Sequence, residues 1–325
     1  MIFLKKPLII LTGPTAVGKT KLSISLAKTV NGAIISADSM QVYRHMDIGS
    51  AKIRPEEMRG VPHYLIDVLD PSEEFHVVKF VELAHEAMEK IYAAGQIPIV
   101  TGGTGFYIQA LLKEVDFTES HGELPIRKQL EEKAATEEGA AELYRELSEV
   151  DPASAETIHP NNVKRVIRAL EYYHETGQKI SEHNEEQKQK ESPYCSAYFV
   201  LNDERSILYD RIDRRVDQMI RDGLVEEVAR LKEMGYTQDL VSMQGLGYKE
   251  LFPYLAGECT LEEAVYIIKR DTRHFAKRQL TWFRREKDVI WLNKPDFDYD
   301  EEKILSYMLD RWNEIVSADA KEEGE

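Results

Sequence analysis

Gly13-Pro14-Thr15-Ala16-Val17-Gly18-Lys19-Thr20 fits G-x-x-x-x-G-K-[ST] without a mismatch. Glycines in such a loop let backbone N–H groups close around phosphate oxygens, and the helix that follows adds partial positive charge at its N-terminus. Lys19 is then placed to reach the terminal phosphates, and the Thr20 hydroxyl to ligate Mg²⁺. The pattern marks a polyphosphate site and leaves open whether the group is a nucleotide or another diphosphate. A second segment, Asp38-Ser39-Met40-Gln41-Val42-Tyr43, offers a carboxylate suited to take a proton from an acceptor; an aspartate here equally suits a turn or cap. Thr101-Gly102-Gly103-Thr104-Gly105-Phe106-Tyr107 combines glycines that admit close backbone approach with the Thr104 hydroxyl, although a plain strand-to-helix turn uses the same residues. Gln244-Gly245-Leu246-Gly247-Tyr248-Lys249-Glu250 reads either as a contact loop or as a helix–helix connection. Asp67 is the best match to the Mg²⁺-ordering aspartate of a nucleotide-hydrolysing switch. The central apolar run at 97–100 ends instead in Thr-Gly-Gly-Thr, so Asp67 reads as structural and the ATPase and kinase readings are weakened.

The elements that must position these groups follow from periodicity. An apolar run at residues 8–11 leads straight into the phosphate loop, and residues 21–30 read as a helix. Strands are expected at 32–36, 63–69 and 97–100, with a helix at 75–94 whose apolar side carries Val78, Val81, Leu83, Ala84 and Met88. Strands separated by helices imply right-handed crossovers and a parallel sheet, with ligands at the C-terminal strand ends. The phosphate loop, Asp38 and Thr104 each follow a strand, so they are expected to converge. Helices without strands follow at 124–135, 140–150 and 161–176, and residues 181–191 read as a polar, mobile connector. A strand returns at 197–201; helices at 206–234 and 261–285, a strand at 289–292 and a helix at 302–316 complete the chain. The fold class is α/β: a P-loop NTPase-like parallel sheet flanked by helices (residues 1–117 and 193–316). An all-helical insertion domain occupies 118–192, and an acidic, disordered tail 317–325.

A net charge of −16 taken alone argues against a polyanionic partner. The distribution matters more: residues 286–325 hold 13 acidic and 5 basic side chains, whereas 269–285 hold seven basic residues and one acid. On that stretch Arg270, Arg273, Lys277 and Arg284 share one helical face. In 161–176, Lys164, Arg165 and Arg168 lie away from an apolar face containing Val163, Val166, Ile167, Leu170 and Tyr173. Either basic face could grip phosphates or simply be solvated. Cys195 and Cys259 lack disulfide-scaffold or zinc spacing, and no apolar run is long enough to cross a bilayer, so a cytoplasmic monomer without membrane contact is expected.

In this order GPTAVGKT, DSMQVY, GGTGFY, HPNNVKRVIRALE and QGLGYKE resemble the bacterial tRNA dimethylallyltransferases (isopentenyl-diphosphate:tRNA transferases) across residues 8–292. The resemblance implies transfer of a dimethylallyl group from dimethylallyl diphosphate to N6 of the adenosine 3′-adjacent to the anticodon, with Mg²⁺ as cofactor. It makes the loop a site for an isoprenoid diphosphate, despite its nucleotide-binding pattern. By matching position it implies Asp38 as general base, Thr104 beside the reacting centre, and Arg215, with Arg211 one turn earlier, supporting the leaving diphosphate. Segments matching the family's tRNA contacts are Asp38-Ser39-Met40-Gln41, Arg127, Lys164-Arg165-Val166-Ile167-Arg168 and Gln244-Gly245-Leu246-Gly247-Tyr248-Lys249. Rival readings are a phosphotransferase using ATP, a prenyltransferase acting on free adenine nucleotides, and a non-catalytic RNA-binding P-loop protein.

Overall fold

The computed structural model describes residues 5–115 and 125–321. The first part alternates β1 (Lys6–Thr12), α1 (Lys19–Val30), β2 (Gly32–Ala37), β3 (His63–Tyr64), α2 (Val77–Ala93), β4 (Ile97–Gly102) and α3 (Gly105–Leu112). Five helices follow: α4 (Pro125–Lys133), α5 (Glu137–Val150), α6 (Pro152–Thr157), α7 (Val163–Thr176) and α8 (Ile180–Gln189). The chain returns through β5 (Tyr194–Asn202), α9 (Arg205–Arg221), α10 (Leu224–Glu233), α11 (Leu251–Leu255), α12 (Leu261–Phe283), β6 (Ile290–Asn293) and α13 (Glu301–Asp319). Two compact units result, residues 1–112 with 193–325, and residues 113–192.

In the larger unit six parallel strands run in the order β3-β2-β4-β1-β5-β6. Leu8, Ile9, Ile10 and Leu11 of β1 are fully buried. That is what a central parallel strand covered on both faces requires, and each such side chain stabilises the core by about 1.5–3 kcal/mol. Register pairs Thr12 with Gly102 and Ala37 with Gly102, so β1, β4 and β2 end side by side. Everything that leaves those three ends is therefore held within one short arc.

The third strand is shorter than the sequence suggests. Only His63 and Tyr64 pair with β2; Leu65 and Asp67 then take positive φ (61° and 57°), which breaks the extended run. Helix α2 buries Phe80, Ala84, Ala87, Met88 and Ile91, which leaves Val78 40% exposed and off the expected apolar side. The helix expected over 206–234 is two helices, because Gly223 (φ 100°) turns the chain between α9 and α10. At the C-terminus α13 continues to Asp319 with Val316 and Asp319 buried, so Ser317, Ala318 and Asp319 are helical and not a disordered tail. Residues 322–325, and the expected start of the insertion at 118 and of its first helix at 124, lie outside the described residues.

The smaller unit has its own core of Leu130, Leu143, Leu147, Val166, Ile167 and Leu170. Of the expected mobile connector at 181–191, residues 181–189 are helical and form most of α8. The reason is Asp151, a buried carboxylate that accepts Ser154 N–H (3.1 Å) and Oγ–H (2.7 Å), and Ser181 N–H (3.0 Å) and Oγ–H (2.6 Å). One carboxylate thus caps α6 and fixes the first turn of α8.

Glu227 of α10 plays a similar part in the larger unit. Its buried carboxylate accepts the N–H groups of Asp47 (3.0 Å), Ile48 (2.8 Å) and Gly49 (3.1 Å) and the Tyr248 hydroxyl (2.8 Å). Removing it leaves four interior donors unpaired. Glu227→Ala is expected to lower stability by about 3 kcal/mol or more, since each stranded donor costs about 1–3 kcal/mol. Urea unfolding should show this as a lower midpoint at unchanged slope.

Candidate functional site

The loop between β1 and α1 is shaped by its glycines. Gly13 takes φ 146°, and a Cβ there would stand 2.2 Å from the Leu201 carbonyl oxygen, so no side chain fits. Gly18, the residue before α1, is left-handed (φ 102°) and supplies no side-chain cap. The first N–H groups of α1 therefore stay open to an anion. Lys19 curls back over the loop, its Nζ donating to the carbonyls of Gly13 (2.9 Å) and Pro14 (2.8 Å). Burial, then the Arg215 charge, lowers its ammonium pKa to about 7, with Asp38 acting the other way.

A cavity of about 380 Å³ opens on this loop, lined by Thr15, Ala16, Gly18, Lys19 and Thr20, by Ser36 near the end of β2 and Asp38 and Gln41 beyond it, and by Arg211 and Arg215 of α9. A neighbouring cavity of about 310 Å³ shares Thr15, Ala16, Asp38 and Arg215 and adds Ser39, Met40, Thr104, Gln244, Gly245, Leu246, Gly247 and Lys249. Its apolar walls come from Ile212, Val216, Met219, Ile268 and Phe275. The sheet thus brings together the residues singled out at three strand ends. Within the loop Gly13, Pro14 and Val17 are buried and line neither cavity, and Val17 belongs to the core.

Asp38 sits on the wall common to both cavities. Its Oδ1 accepts the N–H groups of Met40 (2.8 Å) and Gln41 (3.4 Å), a turn geometry that fixes the carboxylate. Among the described residues Oδ2 has no hydrogen-bond partner, so the turn role and a role toward ligand coexist. Thr104 precedes α3, where its carbonyl accepts from Tyr107 (3.0 Å). The two arginines differ. Arg211 is tied to the buried Asp203 carboxylate (2.5 Å), whereas Arg215 has no ion-pair partner among the described residues and faces Asp38. Burial lowers the Arg215 pKa and Asp38 counters this.

The expected contact residues differ in exposure and in their partners within the protein. Tyr248 does not line the second cavity; it is fully buried, donating to Glu227 and accepting Ser50 N–H (3.2 Å). Gln41 is engaged with Ser36 (3.0 Å) and with the Ser50 and Ala51 carbonyls (3.4 Å each). Within the smaller unit Val166 and Ile167 are core residues, because with Ala169 and Leu170 they form the inward face of an amphipathic helix. Arg127 (3.4 Å) and Arg168 (3.0 Å) converge on the buried Glu171, leaving Lys164 and Arg165 as the exposed cations of that segment. On α12, Arg273 pairs with Asp213 (2.5 Å), Lys269 with Asp217 (2.6 Å) and Arg270 with Asp271 (2.7 Å), while Lys277 and Arg284 are exposed. Asp67 is structural, bound to Lys52 (2.5 Å).

The apolar walls carry no motif, and two polar residues beside the phosphate loop are likewise unmarked in the sequence. Lys294, just after β6, brings Nζ to within 2.9 Å of where a Gly18 Cβ would be; burial, then Arg211, lowers its pKa. Gln279, 6% exposed on α12, bonds both loops at the strand ends. A glutamine on a polar helix carries no pattern that marks it, and Lys294 follows a strand whose end was not considered for ligand contact.

Comparison with known proteins agrees with this geometry. The IPP transferase family model matches residues 41–286. A tRNA dimethylallyltransferase of Lachnoclostridium phytofermentans is 66% identical over 304 residues, 94% of this chain and 96% of that one. One of Acetivibrio thermocellus is 51% identical over 303 residues, 93% and 96% of the two chains. The crystal structure of the full-length tRNA isopentenylpyrophosphate transferase from Bacillus halodurans shares 44% identity and a TM-score of 0.71, covering 99% of this chain and 100% of that one. A structure of a eukaryotic dimethylallyltransferase described as acting on tRNA shares 35% identity and a TM-score of 0.78, covering 89% and 74%. The chain belongs to the IPP transferase family, together with the bacterial tRNA dimethylallyltransferases.

Proposed function

We propose that this chain transfers a dimethylallyl group from dimethylallyl diphosphate to N6 of the adenosine 3′-adjacent to the anticodon of tRNA, releasing diphosphate. The observation that carries the reading is Asp38, shared between a cationic phosphate cavity and a cavity with apolar walls. The diphosphate occupies the first, against the open amides at the start of α1, Lys19, Arg211 and Arg215. The allyl group and the adenine meet in the second, where Ile212, Val216, Met219 and Phe275 keep water from an allylic carbon that gains positive charge. Asp38 Oδ2 takes a proton from the exocyclic amine as the N–C bond forms and the C–O bond breaks, and the electron pair leaves with diphosphate. Thr104 sits at the meeting point of donor and acceptor. Identities of 66% and 51% to proteins named for this activity, over nearly the whole chain, favour tRNA over a free nucleotide and prenyl over phosphoryl transfer.

Mg²⁺ fits the first cavity. Thr20 lines it together with Ser36 and Asp38, and the described residues hold no cluster of three metal-ligating side chains. That donor set suits an ion held by the Thr20 hydroxyl, substrate oxygens and water. When bound, Mg²⁺ supplies charge to the departing diphosphate. We further propose that the protein works as a cytoplasmic monomer. Both cysteines are free thiols, as a reducing compartment favours, and no helix among the described residues is long and apolar enough to cross a membrane.

Asp38→Asn keeps the shape of the turn and removes the base. Single-turnover prenyl transfer is expected to fall by about 10²–10⁴-fold while tRNA affinity persists; a near-normal rate would assign Asp38 to the turn alone. Lys19 yields a pH test. In the free protein its pKa is about 7, and a bound diphosphate raises it. Below that pH the lysine is charged in both states and adds no slope; above it, binding takes up a proton. Pyrophosphate affinity is expected to weaken by up to about tenfold per pH unit above neutrality, relative to Lys19→Met. Equal slopes in equilibrium dialysis would remove Lys19 from the phosphate site. For tRNA, Lys164→Ala with Arg165→Ala should flatten the log–log salt dependence of binding by about 0.7–0.9 for each phosphate that is no longer neutralised, read by filter binding.

A further inference from the structure

We propose that Gln279 is a positioning residue for the transfer reaction, clamping the phosphate loop to the loop that carries Thr104. Its Oε1 accepts the Thr15 N–H (2.9 Å) and its Nε2 donates to the Gly103 carbonyl (2.9 Å). Thr15 follows β1 and Gly103 follows β4, neighbouring strands whose register ends at Thr12 and Gly102. The last direct link there is the Thr12 hydroxyl to the Gly102 carbonyl (2.8 Å). Beyond it the two loops diverge, one toward the leaving group and the other toward the acceptor. The Gln279 amide supplies the missing rung, reached from α12, a third element.

The chemistry singles out glutamine. The side chain must accept from an N–H and donate to a carbonyl at the same time, which a primary amide does and an ionised carboxylate does not. Asparagine is one methylene too short to reach both loops from the same Cα. Gly103 answers the same need from the other side. A Cβ on it would stand 2.0 Å from Gln279 Nε2, although its φ lies outside the left-handed region, so a side chain there would push the Gln279 amide out of its clamp. Gln279 is 6% exposed and lines the second cavity, so the clamp sits directly beneath the reacting groups. A loop displacement of about 1 Å there is enough to cost about 100-fold in rate.

This inference rests on the proposed prenyl transfer, and the test separates the two. In the full chain, Gln279→Met preserves volume and removes both bonds. Faster hydrogen exchange at the Thr15 amide, weaker pyrophosphate binding and a kcat reduced by about 100-fold are expected, with tRNA affinity and melting temperature held. A double-mutant cycle adds a second route. Gly103→Ala is expected to be costly in the wild-type background and to add little in Gln279→Ala, where its methyl group has room. The proposal is overturned if folded Gln279→Met keeps wild-type kcat and Thr15 protection, or if Gly103→Ala costs the same in both backgrounds. Should Gln279→Met fail to fold, the Gly103 cycle decides. Should the wild-type protein not prenylate tRNA, the functional reading falls, while amide exchange and pyrophosphate affinity still decide the clamp.

Discussion

Three basic side chains, Lys19, Arg211 and Arg215, share one cleft, and their mutual repulsion is the constraint that the rest of the site answers. Like charges in a partly dry cavity interact far more strongly than in water. Each is accommodated differently. Arg211 is neutralised by Asp203, whose carboxylate is fully buried. Lys19 sheds its proton readily, with a pKa near 7, and rests on two loop carbonyls. Arg215 keeps its charge and looks to Asp38. The arrangement holds electrostatic energy that an anion bound in the cleft would relieve.

The same logic runs outward along α9 and α12. Asp213 and Asp217, one turn apart on α9, meet Arg273 and Lys269, one turn apart on α12. These pairs hold the helix that carries Arg215 against the helix that carries Gln279. Part of the basic stretch at 269–285 is therefore committed to packing. What stays exposed lies further along the helix, where His274, Lys277, Arg278, Thr281, Trp282 and Arg285 surround a hollow of about 390 Å³. A chain with net charge −16 still presents cations there because 13 of its acids lie in the last forty residues and Asp213, Asp217 and Asp271 are each paired with a cation of α12.

The parts of the fold set by local signals were legible in the sequence. Buried runs such as Leu8-Ile9-Ile10-Leu11, followed by a phosphate-loop pattern, leave little choice of structure. The convergence of residues 13–20, Asp38 and Thr104 followed from parallel topology alone. What failed depended on tertiary partners. The polar α8 forms because Asp151, thirty residues away, bonds its first turn. The third strand stops at Tyr64 because Leu65 and Asp67 take left-handed conformations that no residue type announces. Motif matching also works by segment and not by side chain. Val166, Ile167 and Tyr248 lie inside segments of contact type, yet all three point into a core.

Tyr248 shows why such a residue still belongs to the site. Its hydroxyl and the Glu227 carboxylate together hold the N–H groups of residues 47–50, and that loop supplies Ser50 and Ala51 to both cavities. The Ser50 and Ala51 carbonyls in turn bind the Gln41 amide, and Gln41 N–H binds Asp38. A chain of hydrogen bonds therefore leads from a buried glutamate on α10 to the carboxylate at the centre of the cleft. The turn that fixes the Asp38 carboxylate is thus itself held in place by this network. The aromatic residue in the Gln244–Glu250 segment supports the acceptor pocket from beneath, while its glycines and Lys249 line the wall above.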